Sequence, residues 1–68
     1  MTFRQLRQSR KLSQVRLAYL AGVRQAIVAK IDQGRETNPR ISDLGSLARV
    51  LCVSVEDLAA IIQQGEKS

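Results

Sequence analysis

The residue types that most often catalyse reactions are scarce in this chain. Among its 68 residues it has no histidine and a single cysteine, Cys52. Without histidine it cannot form a Ser-His or Cys-His pair, and it lacks the usual ligand cluster of a zinc site. Glu56 and Asp57 are adjacent, so on a helix they point to different sides and do not act as paired acids. We therefore expect no enzyme activity and no cofactor.

The basic residues are concentrated in the first 40 positions. Residues 1–40 contain nine lysines and arginines against two acidic residues, a net charge of +7, whereas residues 41–68 have a net charge of −2. This asymmetry favours a polyanionic partner for the first part, either a nucleic acid or an anionic membrane surface. The alternative is that the arginines only keep the protein soluble.

The sequence gives no indication of a membrane protein. The N-terminal residues MTFRQLRQSRKL lack the apolar region of a signal peptide, and no run approaches the ~18 apolar residues of a membrane span. Peripheral membrane binding is disfavoured, because the basic residues do not lie on a long amphipathic helix with a large apolar face. We expect a cytoplasmic protein in which Cys52 is reduced.

The apolar spacing predicts an all-α protein, a compact bundle of about five short helices that forms a single domain over residues 1–68. The clearest signal is in ISDLGSLARVL, where apolar residues recur at i, i+3, i+4 and i+7. Candidate N-caps and helix-ending glycines divide the chain into elements. They are Thr2, Ser13 and Ser54 for the caps and Gly22, Gly34 and Gly65 for the ends.

The third predicted helix, about residues 24–33, has two different faces. Val28 and Ile31 point towards the core, and at about 100° per residue the two alanines, Lys30 and Gln33 point away from it. Alanine lets a helix approach base edges in a DNA major groove, where Gln can bond adenine and Lys can bond guanine. The alternative is an ordinary solvated face, because Ala, Gln and Lys are good helix formers.

The turn before this helix favours groove binding. Two helices joined by a short turn that contains glycine form a helix-turn-helix, and residues 14–33 have this arrangement around Gly22. From about Leu6 to Leu58, through LSQVRLAYLAGV, IDQG, NP and LARVLCVSVEDL, the chain resembles the Cro and phage-repressor (xenobiotic-response-element) type of helix-turn-helix protein. The resemblance implies a lambda-repressor-like five-helix domain, binding of double-stranded DNA by the third helix, and a dimer.

The resemblance also implies roles for individual residues. Base reading falls to Gln25, Ala26, Ile27 and Lys30. A structural ion pair is implied between Arg7 and Asp32, and a cation would offset the unfavourable position of this acid near a helix C-terminus. Contacts to DNA phosphates are expected from Gln14, Gln33, Arg35, Asn38 and Arg40, and Arg24 at the helix entrance could reach a phosphate or a base. Arg16 is a further candidate phosphate ligand, although it departs from the family pattern.

The sequence departs from the family pattern at four places. Arg16 replaces the usual Glu, so a capping box is lost and an external anion is a candidate partner; a solvated arginine is the alternative. Cys52 replaces the usual Gly, which predicts an altered helix end and a partly buried structural thiol rather than a redox site. The loop GRETNPR is about one residue longer than usual. Gly45 interrupts the fourth helix and suggests close packing against another helix or subunit.

The last predicted helix, about residues 55–64, has more apolar surface than one small core needs. We predict that it forms the dimer contact; extra burial in the core is the alternative. A two-fold dimer would place two recognition helices ~34 Å apart on a palindromic operator. The predicted interface consists of Leu58, Ala59, Ile61 and Ile62.

These observations predict a small transcriptional regulator that binds double-stranded DNA in a sequence-specific manner through the major groove. Dimeric repressors and restriction-modification controllers both fit this plan. We expect no small-molecule ligand, because 68 residues leave no room for a separate sensing site. The alternative is a basic helical protein-interaction module, for example an antitoxin-like protein, that binds an acidic partner.

Overall fold

A computed structural model describes residues 1–65, which form five α-helices and no strand. This confirms the predicted all-α class. The end of the predicted domain, residues 66–68, lies outside the described residues. Within residues 1–65 no helix is long and apolar enough to cross a membrane. The helices are α1 (Phe3–Ser9), α2 (Gln14–Ala21), α3 (Gln25–Asp32), α4 (Ile41–Leu51) and α5 (Val55–Gly65).

Three of the helices begin at side-chain N-caps. Thr2 and Gln5 form a capping box at α1, in which each side chain accepts a hydrogen bond from the other residue's backbone N–H. The hydroxyl of Ser13 accepts from the N–H of Arg16 at α2, and that of Ser54 accepts from the N–H of Asp57 at α5. By contrast, α3 and α4 begin at arginines, whose side chains do not cap. The first turns of α3 and α4 therefore keep backbone N–H groups that no N-cap side chain satisfies.

The first four helices end in the same kind of turn. In each turn a residue with positive φ is followed by a residue whose N–H donates to the carbonyl oxygen five positions earlier, as in a Schellman motif. The following residue packs against the core at the ends of α1, α2 and α4, but after α3 it is the exposed Arg35. The positive-φ residues are Lys11, Gly22, Gly34 and Cys52, with φ of 59°, 70°, 75° and 60°.

The core lies where α2 packs on α3 and α4 while α5 packs on α1 and α4. Val28 and Ile31 attach α3 to it, with 0% and 3% of their surfaces exposed. Because these two residues fix one side of α3, the opposite side of the helix must face outwards. The fully buried side chains are Leu17, Val28, Leu47, Leu51 and Leu58.

The prediction for the last helix is corrected at two residues. Leu58 and Ile62 are 0% and 3% exposed, because they fill the core between α5 and its neighbours α1 and α4. Ala59 and Ile61 are half-buried. Two positions span about 200° of a helix, so these residues lie on opposite sides of the buried stripe. A dimer contact through α5 would therefore involve one side of the helix rather than all four residues.

Two expectations about unusual residues are also corrected. Cys52 has the left-handed conformation expected for a residue that replaces glycine, but its side chain is exposed rather than partly buried. The turn places it outside the core, while Val53 after it packs inwards. A Cβ atom on Gly45 would meet nothing within 4 Å, so this glycine makes no close packing against another helix among the described residues, and packing against another subunit stays a prediction.

Candidate functional site

The outward face of α3 carries three of the four predicted base readers. Gln25, Ala26 and Lys30 are exposed. Ala26 and Lys30 lie on the side away from Val28 and Ile31, and Gln25 lies at the edge of that side, about 90° from the core direction. The amide of Gln25 and the ammonium group of Lys30 can form hydrogen bonds, and the small Ala26 between them adds no bulk. The helix can therefore approach a flat or grooved surface closely.

Ile27, the fourth predicted base reader, differs from the other three. It is half-buried and packs against the core. It also lines a cavity of about 230 Å³ together with Arg24 and Arg40, the residues that immediately precede α3 and α4. The structure thus brings together two of the predicted phosphate ligands beside the start of α3, and only part of Ile27 is available to a partner.

Asp32, the last residue of α3, accepts hydrogen bonds from several side chains, which form a polar cluster with it, and its own side chain is buried. Its carboxylate is 1% exposed, and Arg7 donates to both oxygens, with Nε 3.0 Å from Oδ1 and Nη2 3.1 Å from Oδ2. The third nitrogen of Arg7, Nη1, lies 2.7 Å from the carbonyl oxygen of Leu12. The Arg7–Asp32 pair implied by the resemblance is thus present, and it also fixes the loop between α1 and α2.

Gln14 joins the same cluster from the start of α2. Its Nε2 donates to Oδ2 of Asp32 at 3.1 Å. Because an amide nitrogen has two hydrogens, one remains for another acceptor. The predicted phosphate ligand is therefore held in place across the end of α3, close to the N–H groups of the first turn of α2. Such a helix start is a favourable place for an anion.

The hydrogen bonds around Asp32 decide its protonation. Burial raises the pKa of this carboxyl group, but hydrogen bonds from Arg7, Arg4 and Gln14 outweigh burial and hold the pKa below the ordinary value of 3.8. The cluster thus contains a carboxylate at neutral pH. The positive charge of Arg7 is enough to neutralise this carboxylate. A second cation therefore gives the cluster a net positive charge.

Arg4 is such a cation, and it is not among the predicted site residues. Its Nε lies 2.8 Å from Oδ2 of Asp32, and its Nη2 lies 3.5 Å from the backbone oxygen of the same residue. The sequence contains a signal for this contact. Residues three apart share a helix face, so Arg4 lies beside Arg7 on α1.

The loop after α3 turns back over the end of that helix. The backbone N–H groups of Arg35 and Glu36 both donate to the carbonyl oxygen of Lys30. Nη1 of Arg35 donates to Oε1 of Gln33 at 3.4 Å, so two predicted phosphate ligands are neighbours. Asn38 is exposed further along the loop, where its N–H donates to the carboxylate of Glu36.

Arg16 lies on the outer face of α2, beside Tyr19, which is not among the predicted site residues. Its guanidinium carbon is 5.7 Å from the ring centroid of Tyr19, within the range of a cation–π contact. Both side chains are exposed, Tyr19 by 75%. The i, i+3 spacing of a cation and an aromatic ring was the available signal.

The comparison with protein families agrees with this geometry. A family model described as a helix-turn-helix domain matches residues 1–61. The chain belongs to this helix-turn-helix family. The two helices of the motif are then α2 and α3, joined by the turn at Gly22, and α3 occupies the position of the second helix. No solved structure matches the chain.

A curated relative supports the same family. The chain is 39% identical over 57 residues to a Bacillus subtilis (strain 168) protein named Uncharacterized HTH-type transcriptional regulator RghRB. The similarity covers 84% of this chain and 41% of that protein. The chain thus spans less than half the length of the relative, and the helix-turn-helix is the part that this comparison supports.

Proposed function

We propose that the chain binds double-stranded DNA in a sequence-specific manner and regulates transcription. One observation carries the proposal: α3, the second helix of the motif, is fixed to the core by Val28 and Ile31 and turns Gln25, Ala26 and Lys30 outwards. In a major groove, the amide and the ammonium group would bond base edges, and the alanine would allow close approach. Ile27 would contribute an apolar edge contact, such as one to a thymine methyl group.

The charges around α3 support binding to a phosphate backbone. Gln14 holds an amide donor at the start of α2, and arginines lie beside the start of α3 and after its end. Contacts of this kind fix the register of a protein on DNA, whereas the α3 side chains would supply the sequence preference. The proposed phosphate ligands are Gln14, Arg16, Arg24, Gln33, Arg35, Asn38 and Arg40.

We further propose that residues 1–68 act as a single domain in a small dimeric regulator of the Cro and phage-repressor type. A repressor or a restriction-modification controller-like protein fits this plan. Two copies related by a two-fold axis would read a palindromic operator, with their α3 helices ~34 Å apart. The name of the Bacillus relative supports a role in the regulation of transcription. The proposed contact between the two copies is one side of α5.

Titration of labelled DNA duplexes at two salt concentrations tests the proposed function. We expect binding to random duplexes at low salt and tighter binding to duplexes selected for affinity. Affinity should fall steeply with salt, because each phosphate contact contributes about −0.9 to the slope of log K against log salt concentration. Polyglutamate is the matched probe for an acidic protein partner. Binding to polyglutamate without binding to duplexes would contradict the proposal and favour a protein-interaction module.

A further inference from the structure

The buried carboxylate of Asp32 attracts two arginines although one is enough to neutralise it. Arg7 makes the bidentate contact, and only 10% of its side chain is exposed. The Arg7–Asp32 ion pair is therefore buried, and its two charges cancel. The second arginine, Arg4, adds a full positive charge that no acidic group in the cluster compensates.

The contacts of Arg4 orient this extra charge without enclosing it. Two of its nitrogens are held by Asp32, one at the carboxylate and one at the backbone oxygen, yet 52% of its side chain is exposed. An exposed arginine with a fixed orientation has already lost much of its conformational entropy, so a further bond costs less. Arg4 therefore resembles a preorganised ligand for an anion more than a purely structural clamp.

The position of Arg4 connects it to the proposed DNA backbone contacts. Arg4, Arg7 and Gln14 all donate to the same atom, Oδ2 of Asp32, so the polar ends of Arg4 and Gln14 both lie within hydrogen-bonding distance of that oxygen. Gln14 is itself a proposed phosphate ligand at the start of α2. A phosphate backbone bound at Gln14 would therefore have Arg4 as a neighbouring cation.

A cavity beside Arg4 leaves room for such a group. It has a volume of about 260 Å³ between the start of α1 and the end of α3. Since one water molecule occupies about 30 Å³ in the liquid, a phosphate group with bound water would fit. Arg4 and Gln33 line it with donors, and the one acidic residue in its lining is the covered Asp32. Its remaining lining residues are Thr2, Phe3, Ile31, Gly34 and Ile62.

We propose that Arg4 and Gln33 bind a phosphate group of the DNA backbone at this cavity, at the C-terminal end of α3. This inference rests on the proposed function and extends it to α1. Asp32 is then a positioning residue that aligns Arg4 and Gln14 along one stretch of backbone. The opposite account is that Arg4 only stabilises the negatively charged end of α3.

The salt dependence of duplex binding separates the two accounts. For Arg4→Gln, we expect the slope of log K against log salt concentration to become shallower by about 0.9 for each bound subunit. Between 50 and 200 mM salt, this corresponds to a loss of affinity about 3.5-fold smaller per subunit than in the wild type. Arg4→Lys should keep the wild-type slope, because it keeps the charge.

Arg49→Gln is the matched control, since Arg49 is an exposed cation on α4 and its removal changes the net charge equally. The control should leave the slope unchanged. An Arg4→Gln protein with a lower melting temperature and an unchanged slope would overturn the inference while leaving the proposed function intact. A wild-type protein that binds no duplex at low salt would overturn the proposed function and this inference with it.

Discussion

At the scale of single residues, Asp32 connects three helices. Its carboxylate accepts from Arg4 and Arg7 on α1 and from Gln14 on α2, while Asp32 itself ends α3. All of these donors would lose their acceptor if the residue were apolar. Arg7 would be affected most, because it is nearly buried and cannot regain full hydration in the folded protein.

We predict that Asp32→Asn lowers the free energy of unfolding by about 3 kcal/mol at neutral pH, since it leaves the charge of Arg7 buried and unpaired. The lowered pKa of Asp32 gives the pH dependence. The contribution of the carboxylate is complete above 3.8, the ordinary pKa, and is lost as the pH falls through the lower pKa of the folded protein. Urea denaturation of both proteins at several pH values measures it.

Asp43→Asn is the control, because Asp43 lies in the first turn of α4 and is only half-buried. Its loss should cost no more than about 1 kcal/mol, the value of an acid at a helix start. If Asp32→Asn and Asp43→Asn lower the free energy of unfolding equally at neutral pH, the Asp32 cluster does not stabilise the fold more than an ordinary acid at a helix start.

At the scale of elements, the ends of the helices show what the sequence could and could not predict. Glycine marks left-handed positions, so the turns at Gly22 and Gly34 were predictable. Lys11 adopts the same conformation with no such signal. Its turn depends on Leu12, which packs against the core and donates to the carbonyl oxygen of Arg7, and such a long-range preference is not encoded in local residue types.

The same limit applies to burial and to the candidate site. The helical period places Leu58 and Ile62 on one side of α5, but only the packing of α1 and α4 decides that this side is fully covered. The outer face of α3 was predictable, because two core residues within the helix fix its rotation. The contact between Arg4 and Asp32 spans 28 positions, and its sequence signal is indirect, because it depends on the Arg7–Asp32 pair and on Arg4 lying beside Arg7 on α1.

We predict that Cys52→Gly raises the free energy of unfolding by about 1 kcal/mol, the approximate cost of a left-handed non-glycine residue. Cys52 is exposed, so little packing is lost. Gly22→Ala is the reverse experiment at the equivalent turn and should cost a similar amount. Its added Cβ meets nothing within 4 Å, so the loss would be conformational. A destabilised Cys52→Gly protein in urea denaturation would contradict this account of the turns.

At the scale of the whole molecule, the proposed dimer depends on which side of α5 is free. Ile61 lies on one side of the buried stripe, and Val55 and Ala59 lie on the other. We predict that the wild type sediments as a dimer and that one of the variants Ile61→Asp and Val55→Asp sediments as a monomer. Circular dichroism checks that both variants keep their helices. Dimers in both variants would exclude α5 as the contact.

The basic residues in the first 40 positions should set binding to duplexes in general, whereas the outer face of α3 should set sequence preference. This distinction is the central claim, and it is tested by measuring the base preference of Gln25→Ala and Lys30→Ala in competition among duplexes of varied sequence. We expect each variant to lose about 1–3 kcal/mol of discrimination at one base pair of each half-site. Arg49→Ala should keep the wild-type preference. If Gln25→Ala and Lys30→Ala also keep it, α3 does not read the DNA sequence.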